Sequence, residues 1–539
     1  MSEDAAEKIP DNPEVDYEIG QDNVQIFGLD IHNPVFVVSG GIIVLFTLYA
    51  LIFSAHAEAM FGDLRPWITS TFDWVFMGAA NIFVLFCLFL LVSPWGKVRL
   101  GGEDAVPDYG YPGWFAMLFA AGMGIGLMFF GVLEPMYHFQ NPPLGVDPGD
   151  TAAAAAAGMA ATIFHWGLHP WAIYAVVALA LAFFTFNRGL PLTIRSAFYP
   201  LLGNRVWGWP GDVIDIFAVF ATLFGLATSL GFGAQQAGAG LHYLFNAPEG
   251  VTTQVVLIIG ITTLALISVM RGLDGGVKRL SELNMLLALA LMIFVIAVGG
   301  ALQVLTGFFD AAVNYVKQVV PLSNPIGRED LDFMHGWTTF YWAWWISWSP
   351  FVGMFIARVS RGRTVREFVT CVLLIPTLVS ILWMTAFGGT AVRQYLSTGY
   401  EGVLKTVTDY TPELSLFAML EALPLTAVTS FIGIVLVIVF FVTSSDSGSL
   451  VIDTITAGGK LDAPVAQRVF WCLFEGLVAI ALLVGGGLAS LQAAAITTGL
   501  PFAIILMILT IGVAMGLRNE RREHLAGTTP TQVDPSIGK

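Results

Sequence analysis

The sequence predicts an all-α membrane protein with twelve transmembrane helices, and two observations carry this prediction. Only 12% of the 539 residues are charged and 56% are hydrophobic, whereas soluble domains carry roughly 25% charged residues. Apolar blocks of about 20 residues, the length of a helix that crosses a bilayer, fill almost the whole chain. The predicted spans are residues 34–54, 70–94, 112–133, 155–185, 210–240, 251–270, 282–306, 336–358, 367–390, 424–450, 466–489 and 491–516.

The placement of basic residues predicts the orientation of these spans. Lys and Arg concentrate in cytoplasmic loops. With both termini inside, the 24 basic residues all face the cytoplasm except Arg65, Lys317, Arg328, Arg393 and Lys405. We therefore expect a multi-pass protein of the cell inner (plasma) membrane. Residues 307–335 are too polar to cross the lipid bilayer and are predicted to lie along its outer surface.

The ends of the chain differ from its middle. Residues 1–33 are acidic and lack the basic start and short apolar core of a signal peptide, so we expect a disordered cytoplasmic tail. Residues 34–516 form the predicted transmembrane domain, and 517–539 a short cytoplasmic tail. The net charge of −15 gives no indication of a nucleic-acid partner. The cysteines Cys87, Cys371 and Cys472 lie far apart in apolar segments, without disulfide or metal spacing.

Three spans contain sequences that disfavour a continuous helix. These are AAGMGIG (120–126), SWSPFVG (347–353) and TSSDSGS (443–449). Unwound backbone within a membrane requires protein or water partners, and paired interruptions in two halves of a chain indicate a transporter binding site. Spans 3 and 8 are five apart, as are spans 5 and 10, which each carry a Thr-Ser pair. We predict two inverted five-span repeats, spans 3–7 and 8–12, after two additional helices; glycines that serve only packing are the alternative.

Two clusters of aromatic residues lie inside predicted spans. They are FHWGLHPWAIY (164–174) and FYWAWWISWSP (340–350), and neither 155–185 nor 336–358 contains an acid. Ring faces attract a quaternary ammonium, which has no N–H to donate, with roughly 0.5–2 kcal/mol per contact. A cage without a counter-ion favours a zwitterion over a bare cation, although packing alone also explains single tryptophans. His165 and His169 lack a third ligand, so we do not predict a metal there.

These same stretches resemble a known family. GWTTFYWAWWISWSPFVGMFIARVSRGRTVREF (336–368) resembles the signature of the betaine/choline/carnitine transporters. AAGMGIGLMFFGVLEP (120–135), FHWGLHPWAIYA (164–175) and FFVTSSDSGS (440–449) are similar to three further motifs of that family, in the same order. The resemblance implies a LeuT-like inverted-repeat fold, a homotrimer, and import of trimethylammonium compatible solutes by alternating access, often driven by sodium. It implies a transporter rather than an enzyme, with sodium as coupling ion and no cofactor.

The resemblance also implies a substrate site. The glycine-only stretch of span 3 is similar to that of betaine-type members of the family. Choline-type members have a similar stretch, but with an acid at the position of Gly126. The implied substrate-binding residues are Trp166, Trp171, Tyr174, Trp345, Trp348, Gly122, Gly124 and Gly126, with Phe355 toward the cytoplasm.

Sodium sites are implied in the same way. Oxygen-only ligands suit a hard cation. The first site would use the backbone carbonyls of Ala120, Met123 and Phe440 with the hydroxyls of Thr443 and Ser444. For a second site Thr222 and Phe351 match the family, but Leu226 stands where a second hydroxyl is expected. Asp446 is an acid at membrane depth and is left unassigned.

Several alternatives remain at this point. Glycine betaine is the favoured solute, beside dimethylsulfoniopropionate, carnitine, choline and ectoine. A sodium-independent carnitine/betaine-type exchanger is the alternative mechanism, against which the Thr443–Ser444 pair argues. A channel and a membrane-embedded enzyme are rivals from other classes, but no nucleophile motif or cofactor loop supports the enzyme. The short C-terminal tail, with mixed charge in RNERREH, does not predict osmotic activation.

Overall fold

The computed structural model describes residues 17–122, 124–271 and 278–526. Within these ranges the chain is mostly helical, and its first part forms a β-hairpin of β1 (Asn23–Ile26) and β2 (Leu29–His32). The strands are antiparallel, with Asn23 opposite His32. Phe27 and Gly28 between them both have positive φ, as a two-residue hairpin turn requires.

The hairpin corrects the prediction that residues 1–33 form a disordered tail, as far as residues 17–33 are concerned; residues 1–16 lie outside the described ranges. The amide of Asn23 donates to the carbonyl of Ala457 at 2.8 Å, and Asp30 lies 2.6 Å from the ammonium of Lys460. These partners are more than 400 positions away in sequence, so the local acidic composition could not indicate them.

In the first half of the chain, predicted spans 3 and 4 are each divided into two helices. The helices of this half are α1 (Val35–Ile52), α2 (Ser54–Val92), α3 (Tyr111–Gly122), α4 (Ile125–Gln140), α5 (Thr151–Trp166), α6 (Leu168–Phe186), α7 (Tyr199–Leu202), α8 (Trp209–Phe245), α9 (Val251–Arg271) and α10 (Lys278–Val298).

The second half begins with a helix that follows α10 after two glycines. Its helices are α11 (Ala301–Ser323), α12 (Leu331–Phe333), α13 (Thr339–Val359), α14 (Val365–Ala386), α15 (Gly388–Thr398), α16 (Gly402–Thr408), α17 (Ser415–Glu421), α18 (Thr426–Thr456), α19 (Val465–Val484) and α20 (Gly487–Ala526). A π-helical turn, Met334–Thr338, leads into α13.

Ten segments of the described chain are long and apolar enough to cross a membrane. They are α1, α2, α5 with α6, α8, α9, α10, α14 with α15, α18, α19 and α20. The third and eighth predicted spans are not among the ten. α3 and α4 are short because the span is divided, and α13 has a low mean hydropathy because of its tryptophans and hydroxyls. Both nevertheless occupy the predicted positions in the chain.

The predicted break in span 3 is present, since α3 ends at Gly122 and α4 begins at Ile125. The predicted break in span 8 is wrong, because α13 runs through Pro350. A proline lacks the N–H that would bond the carbonyl four residues earlier, here that of Ile346. The hydroxyl of Ser349 donates to this carbonyl at 2.7 Å instead, so the helix continues.

The predicted break in span 10 is also wrong, since α18 is continuous. The hydroxyl of Thr443 donates to carbonyls of its own helix, 3.1 Å from Val439 O and 3.0 Å from Phe440 O. Gly448 serves packing, because a Cβ there would lie 2.2 Å from Cδ1 of Leu226. In this segment the Thr443 hydroxyl therefore bonds its own helix and Gly448 allows a close helix–helix contact, and neither interrupts the helix.

Helix contacts follow the symmetry that two five-span repeats require. The fifth and tenth spans, α8 and α18, pack against each other, as do the sixth and eleventh, α9 and α19. If the two repeats are equivalent, each contact between them must have a counterpart in which the corresponding helices have changed places. The counterpart of the contact between α8 and α19 is that between α18 and α9, and the counterpart of the contact between α8 and α20 is that between α18 and α10. All of these contacts are present, in agreement with the predicted arrangement of spans 3–7 and 8–12.

Candidate substrate-binding site

A cavity lies where α4, α6, α13 and α14 meet beside the end of α5. It brings together seven of the predicted substrate residues. Its lining consists of Gly124, Gly126, Leu127, Trp166, Pro170, Trp171, Tyr174, Trp344, Trp345, Trp348 and Ser380. None of these side chains is charged, so the described lining is made of rings, aliphatic groups and a hydroxyl.

The rings stand at steep angles to one another. Trp345 meets Trp166 at 4.9 Å between ring centroids, with 75° between the planes. Tyr174 lies 6.2 Å from Trp345 at 78°, and 5.4 Å from Trp171 at 79°. Such an arrangement offers ring faces and edges from several directions around one space, which suits a compact cationic group.

The indole N–H groups of span 8 are bound to backbone carbonyls. Trp345 Nε1 donates to His165 O at 2.9 Å, and Trp348 Nε1 donates to Gly225 O at 2.9 Å. A buried Trp N–H normally requires such a partner. These bonds tie α13 to α5 and α8 and fix the orientation of both rings.

An interruption that the sequence did not predict separates α5 from α6 at Gly167. A Cβ there would lie 2.6 Å from the carbonyl oxygen of Ile163, so only glycine fits. The amide of Leu168, at the start of α6, donates to the hydroxyl of Tyr315 on α11 at 3.1 Å. The break places Trp166 on one helix and Trp171 on the next, on two sides of the same cavity.

The glycines of span 3 differ in their surroundings. A Cβ on Gly126 would lie 2.7 Å from Cη2 of Trp166 and 3.0 Å from Cη2 of Trp344. The acid that choline-type members carry at this position therefore has no room unless the tryptophans move. A Cβ on Gly124 would meet nothing within 4 Å. The surroundings of Gly122 lie outside what the structure describes.

Phe355 is the one described member of the predicted set that the structure places away from the cavity. It does not line the cavity and is 37% exposed. It lies on α13 beyond Pro350, more than a helical turn from Trp348. Its predicted role toward the cytoplasm stays a prediction.

The first predicted sodium site falls near the break in span 3. Ala120 lies in the last turn of α3, whereas Met123 lies outside the described residues. Phe440, Thr443 and Ser444 lie on α18, which packs against α4. The Thr443 hydroxyl donates to the carbonyl of Phe440, which places two of the predicted ligand oxygens 3.0 Å apart.

The second predicted sodium site has fewer available oxygens. The hydroxyl of Thr222 is buried and donates to Ala218 O at 2.7 Å. The ring of Phe351 lies 5.4 Å from that of Trp348. Leu226 packs against Gly448, so an apolar contact occupies the place where the family has a second hydroxyl.

Sequence reasoning missed Glu134 and Trp344. Glu134, on α4, is fully buried; its Oε2 accepts from Trp166 Nε1 at 2.8 Å and from the Tyr341 hydroxyl at 2.5 Å. Trp344 lines the cavity and stacks on Trp345 at 4.7 Å and 15°. An acid within an apolar span is expected to be functional, but the predicted span 112–133 ends one residue before Glu134, whereas the helix continues to Gln140.

Glu134, His138 and His165 form a compact group, with one possible ligand atom from each within 4.8 Å of the others. Glu134 Oε1 lies 2.6 Å from His165 Nδ1 and 3.5 Å from His138 Nε2. Two ligands held tetrahedrally at the zinc distances of 2.0–2.2 Å would lie about 3.3 Å apart or more. The 2.6 Å contact is therefore a hydrogen bond between Glu134 and His165, and His138 lies beside it at a longer distance.

Comparisons with known proteins match nearly the whole chain. A family model described as BCCT, betaine/carnitine/choline family transporter, matches residues 34–522. A glycine betaine/proline/choline transporter of Vibrio parahaemolyticus is 61% identical over 94% of this chain and 95% of its own. Glycine betaine transporter 1 of the same organism is 56% identical over 94% and 98%. A glycine betaine transporter of Bacillus subtilis is 44% identical over 85% and 89%.

Among solved structures, a manganese transporter of Eremococcus coleocola aligns with 78% of this chain and 83% of its own. The sequence identity is 13% and the TM-score is 0.38.

Proposed function

The chain belongs to the betaine/carnitine/choline transporter family, and from this premise we propose that it is a secondary active transporter that imports glycine betaine by alternating access. The observation that carries the proposal is the uncharged cavity enclosed by Trp166, Trp171, Tyr174 and Trp345. Ring faces attract the trimethylammonium group, and the solute's own carboxylate removes the need for a counter-ion. Two of the relatives reported above are named glycine betaine transporters, which supports this choice of solute.

Sodium is the proposed coupling ion. Its ligands would be oxygens of Ala120, Met123, Phe440, Thr443 and Ser444, where the broken span 3 approaches α18. We propose one sodium ion per transported solute, because Leu226 stands where the family has a hydroxyl in the second sodium site. The homotrimer, the plasma-membrane location and cytoplasmic termini belong to the same proposal and are supported by the family and by the distribution of Lys and Arg.

Choline and proline are further candidate solutes, because a relative at 61% identity carries both in its name. Dimethylsulfoniopropionate, carnitine and ectoine remain alternatives that a ring cage also suits. A sodium-independent exchanger is the alternative mechanism.

The proposal is tested by uptake of labelled glycine betaine into proteoliposomes across a sodium titration at fixed membrane potential. Uptake above equilibrium should require sodium and an inward electrochemical gradient of that ion. It should accelerate with a negative interior, since each transported charge gains about 2.3 kcal/mol per 100 mV. Thr443→Ala and Ser444→Ala should each raise the sodium concentration for half-maximal uptake.

Thr429→Ala is the matched control, because Thr429 lies on the same helix and its hydroxyl also bonds only backbone carbonyls three and four residues earlier in the chain, at 3.2 Å. It should leave the sodium dependence unchanged. Uptake that ignores sodium and voltage but requires solute on the other side would replace this proposal with the exchanger.

A further inference from the structure

Glu134 lies behind the ring cavity and is connected to it by a single indole. The carboxylate does not line the cavity; its Oε2 binds the N–H of Trp166 at 2.8 Å. The opposite edge of that indole faces the cavity, since a Cβ on Gly126 would lie 2.7 Å from Trp166 Cη2. One ring therefore has a carboxylate at its N–H edge and the cavity at its benzene edge.

The hydrogen bonds around Glu134 are consistent with a carboxylate anion. Because an indole N–H can only donate, Oε2 of Glu134 must be the acceptor in the bond with Trp166. The Tyr341 hydroxyl is a second donor to the same oxygen, at 2.5 Å. His165 Nδ1 lies 2.6 Å from Oε1, and its Nε2 lies 2.9 Å from the Thr338 hydroxyl. A neutral His165 with its proton on Nδ1 donates to Glu134 and accepts from Thr338, so the carboxylate has three donors.

We propose that Glu134 is a specificity-determining residue, which enables the ring cavity to bind trimethylammonium cations without a carboxylate, such as choline, as well as zwitterions. This inference rests on the proposed function, because it takes the cavity as the substrate site. Glu134 acts through Trp166 and does not contact the solute.

Two physical effects act in the same direction. A charge-assisted N–H···O⁻ bond is stronger than a neutral one and moves electron density into the indole, which makes its face a better partner for a cation. The buried negative charge also acts through space across the width of one indole, where the low dielectric screens it weakly.

A cation and a zwitterion respond differently to this charge. Choline carries one positive charge and gains the full attraction. In glycine betaine the carboxylate is repelled by the charge that attracts the ammonium, so most of the effect cancels. The missing room for an acid at Gly126 is then compatible with choline binding, because the negative charge comes from behind the ring.

The test measures competition by choline and by unlabelled glycine betaine against labelled glycine betaine, in membranes with saturating sodium. The ratio of the two inhibition constants does not depend on how much protein folds. Glu134→Gln removes the charge but keeps an oxygen to accept from Trp166. It should weaken choline by about tenfold, which is ~1.4 kcal/mol, and glycine betaine by less than about threefold.

Two variants separate charge from structure. Tyr341→Phe removes another donor to the same carboxylate oxygen and keeps the charge, so the ratio should stay within about twofold of wild type. Glu134→Asp keeps the charge on a shorter side chain and should restore most of the ratio that Glu134→Gln changes.

An unchanged ratio in Glu134→Gln, or an equal loss for both solutes, overturns the inference. If Glu134→Gln gives no folded protein, the wild type decides: choline that fails to compete within about a hundredfold of glycine betaine overturns it, and choline that competes supports it. Wild type that binds no glycine betaine would contradict the proposed function instead.

Discussion

At the scale of single residues, three tryptophans of the cavity have their indole N–H groups bound to other parts of the protein. The indole N–H of Trp345 donates to His165 O, that of Trp348 donates to Gly225 O, and that of Trp166 donates to Glu134. Each ring is thereby fixed without a hydrogen bond directed into the cavity. What these three rings offer a solute is their quadrupole, which a trimethylammonium group can use and which water uses poorly.

Trp345→Leu should weaken glycine betaine binding by about tenfold or more, because leucine keeps apolar bulk but loses the quadrupole, at ~1.4 kcal/mol per tenfold. The measurement is equilibrium binding of labelled glycine betaine to purified protein. Trp209→Leu is the control, since Trp209 begins α8 and is 77% exposed; it should bind like wild type. Equal affinity in folded Trp345→Leu would exclude this ring from the site.

At the scale of elements, α13 shows how a helix can carry both rings and a proline through the middle of the bundle. Its buried face packs against α6, α8 and α20, so a free carbonyl inside the helix would have no water to bind. The hydroxyl of Ser349 satisfies the carbonyl of Ile346 that Pro350 leaves without a donor. Side-chain hydroxyls are a known means of satisfying backbone around proline in membrane helices.

Ser349→Ala should lower stability by about 1–3 kcal/mol, because the buried carbonyl of Ile346 loses its donor. The effect should be smaller in a Pro350→Ala background, where residue 350 regains its own N–H. Thermal unfolding of the two single variants and the double variant in detergent measures this coupling. Additive losses would show that Ser349 does not compensate for the proline.

At the scale of the whole molecule, the end of the last helix is bound to the loop that follows α6. Arg188 lies 2.8 Å from Glu520 and 3.1 Å from Glu523 of α20, and all three side chains are buried. The amide of Asn187 donates to Glu520 at 3.1 Å and to Arg99 O at 3.0 Å. The mixed charge of RNERREH is therefore part of a structural contact, in which His524 also lies 2.7 Å from Glu103 and 3.5 Å from Glu520.

Arg188→Met should destabilise the protein by about 3–5 kcal/mol, since it leaves two buried acids without this cation. Arg522→Met is the control, because Arg522 lies on α20 between Glu520 and Glu523 and is exposed. The apparent unfolding temperature of the two variants and wild type, measured side by side in detergent, checks the difference. Similar unfolding temperatures for both variants would mean that the pairs do not hold α20 in place.

The sequence alone predicted the apolar spans, the break at 120–126 and the two ring clusters, because these depend on local chemistry. In a bilayer each backbone must satisfy its polar groups within its own segment, so length and composition are sufficient to locate a helix. The tertiary structure decided which groups meet. Trp345 binds His165 O across 180 positions, Trp166 binds Glu134 across 32 positions, and the hairpin binds residues more than 400 positions away. It also decided that α13 and α18 stay continuous, because Ser349 and the packing of Gly448 supply partners that no local pattern specifies.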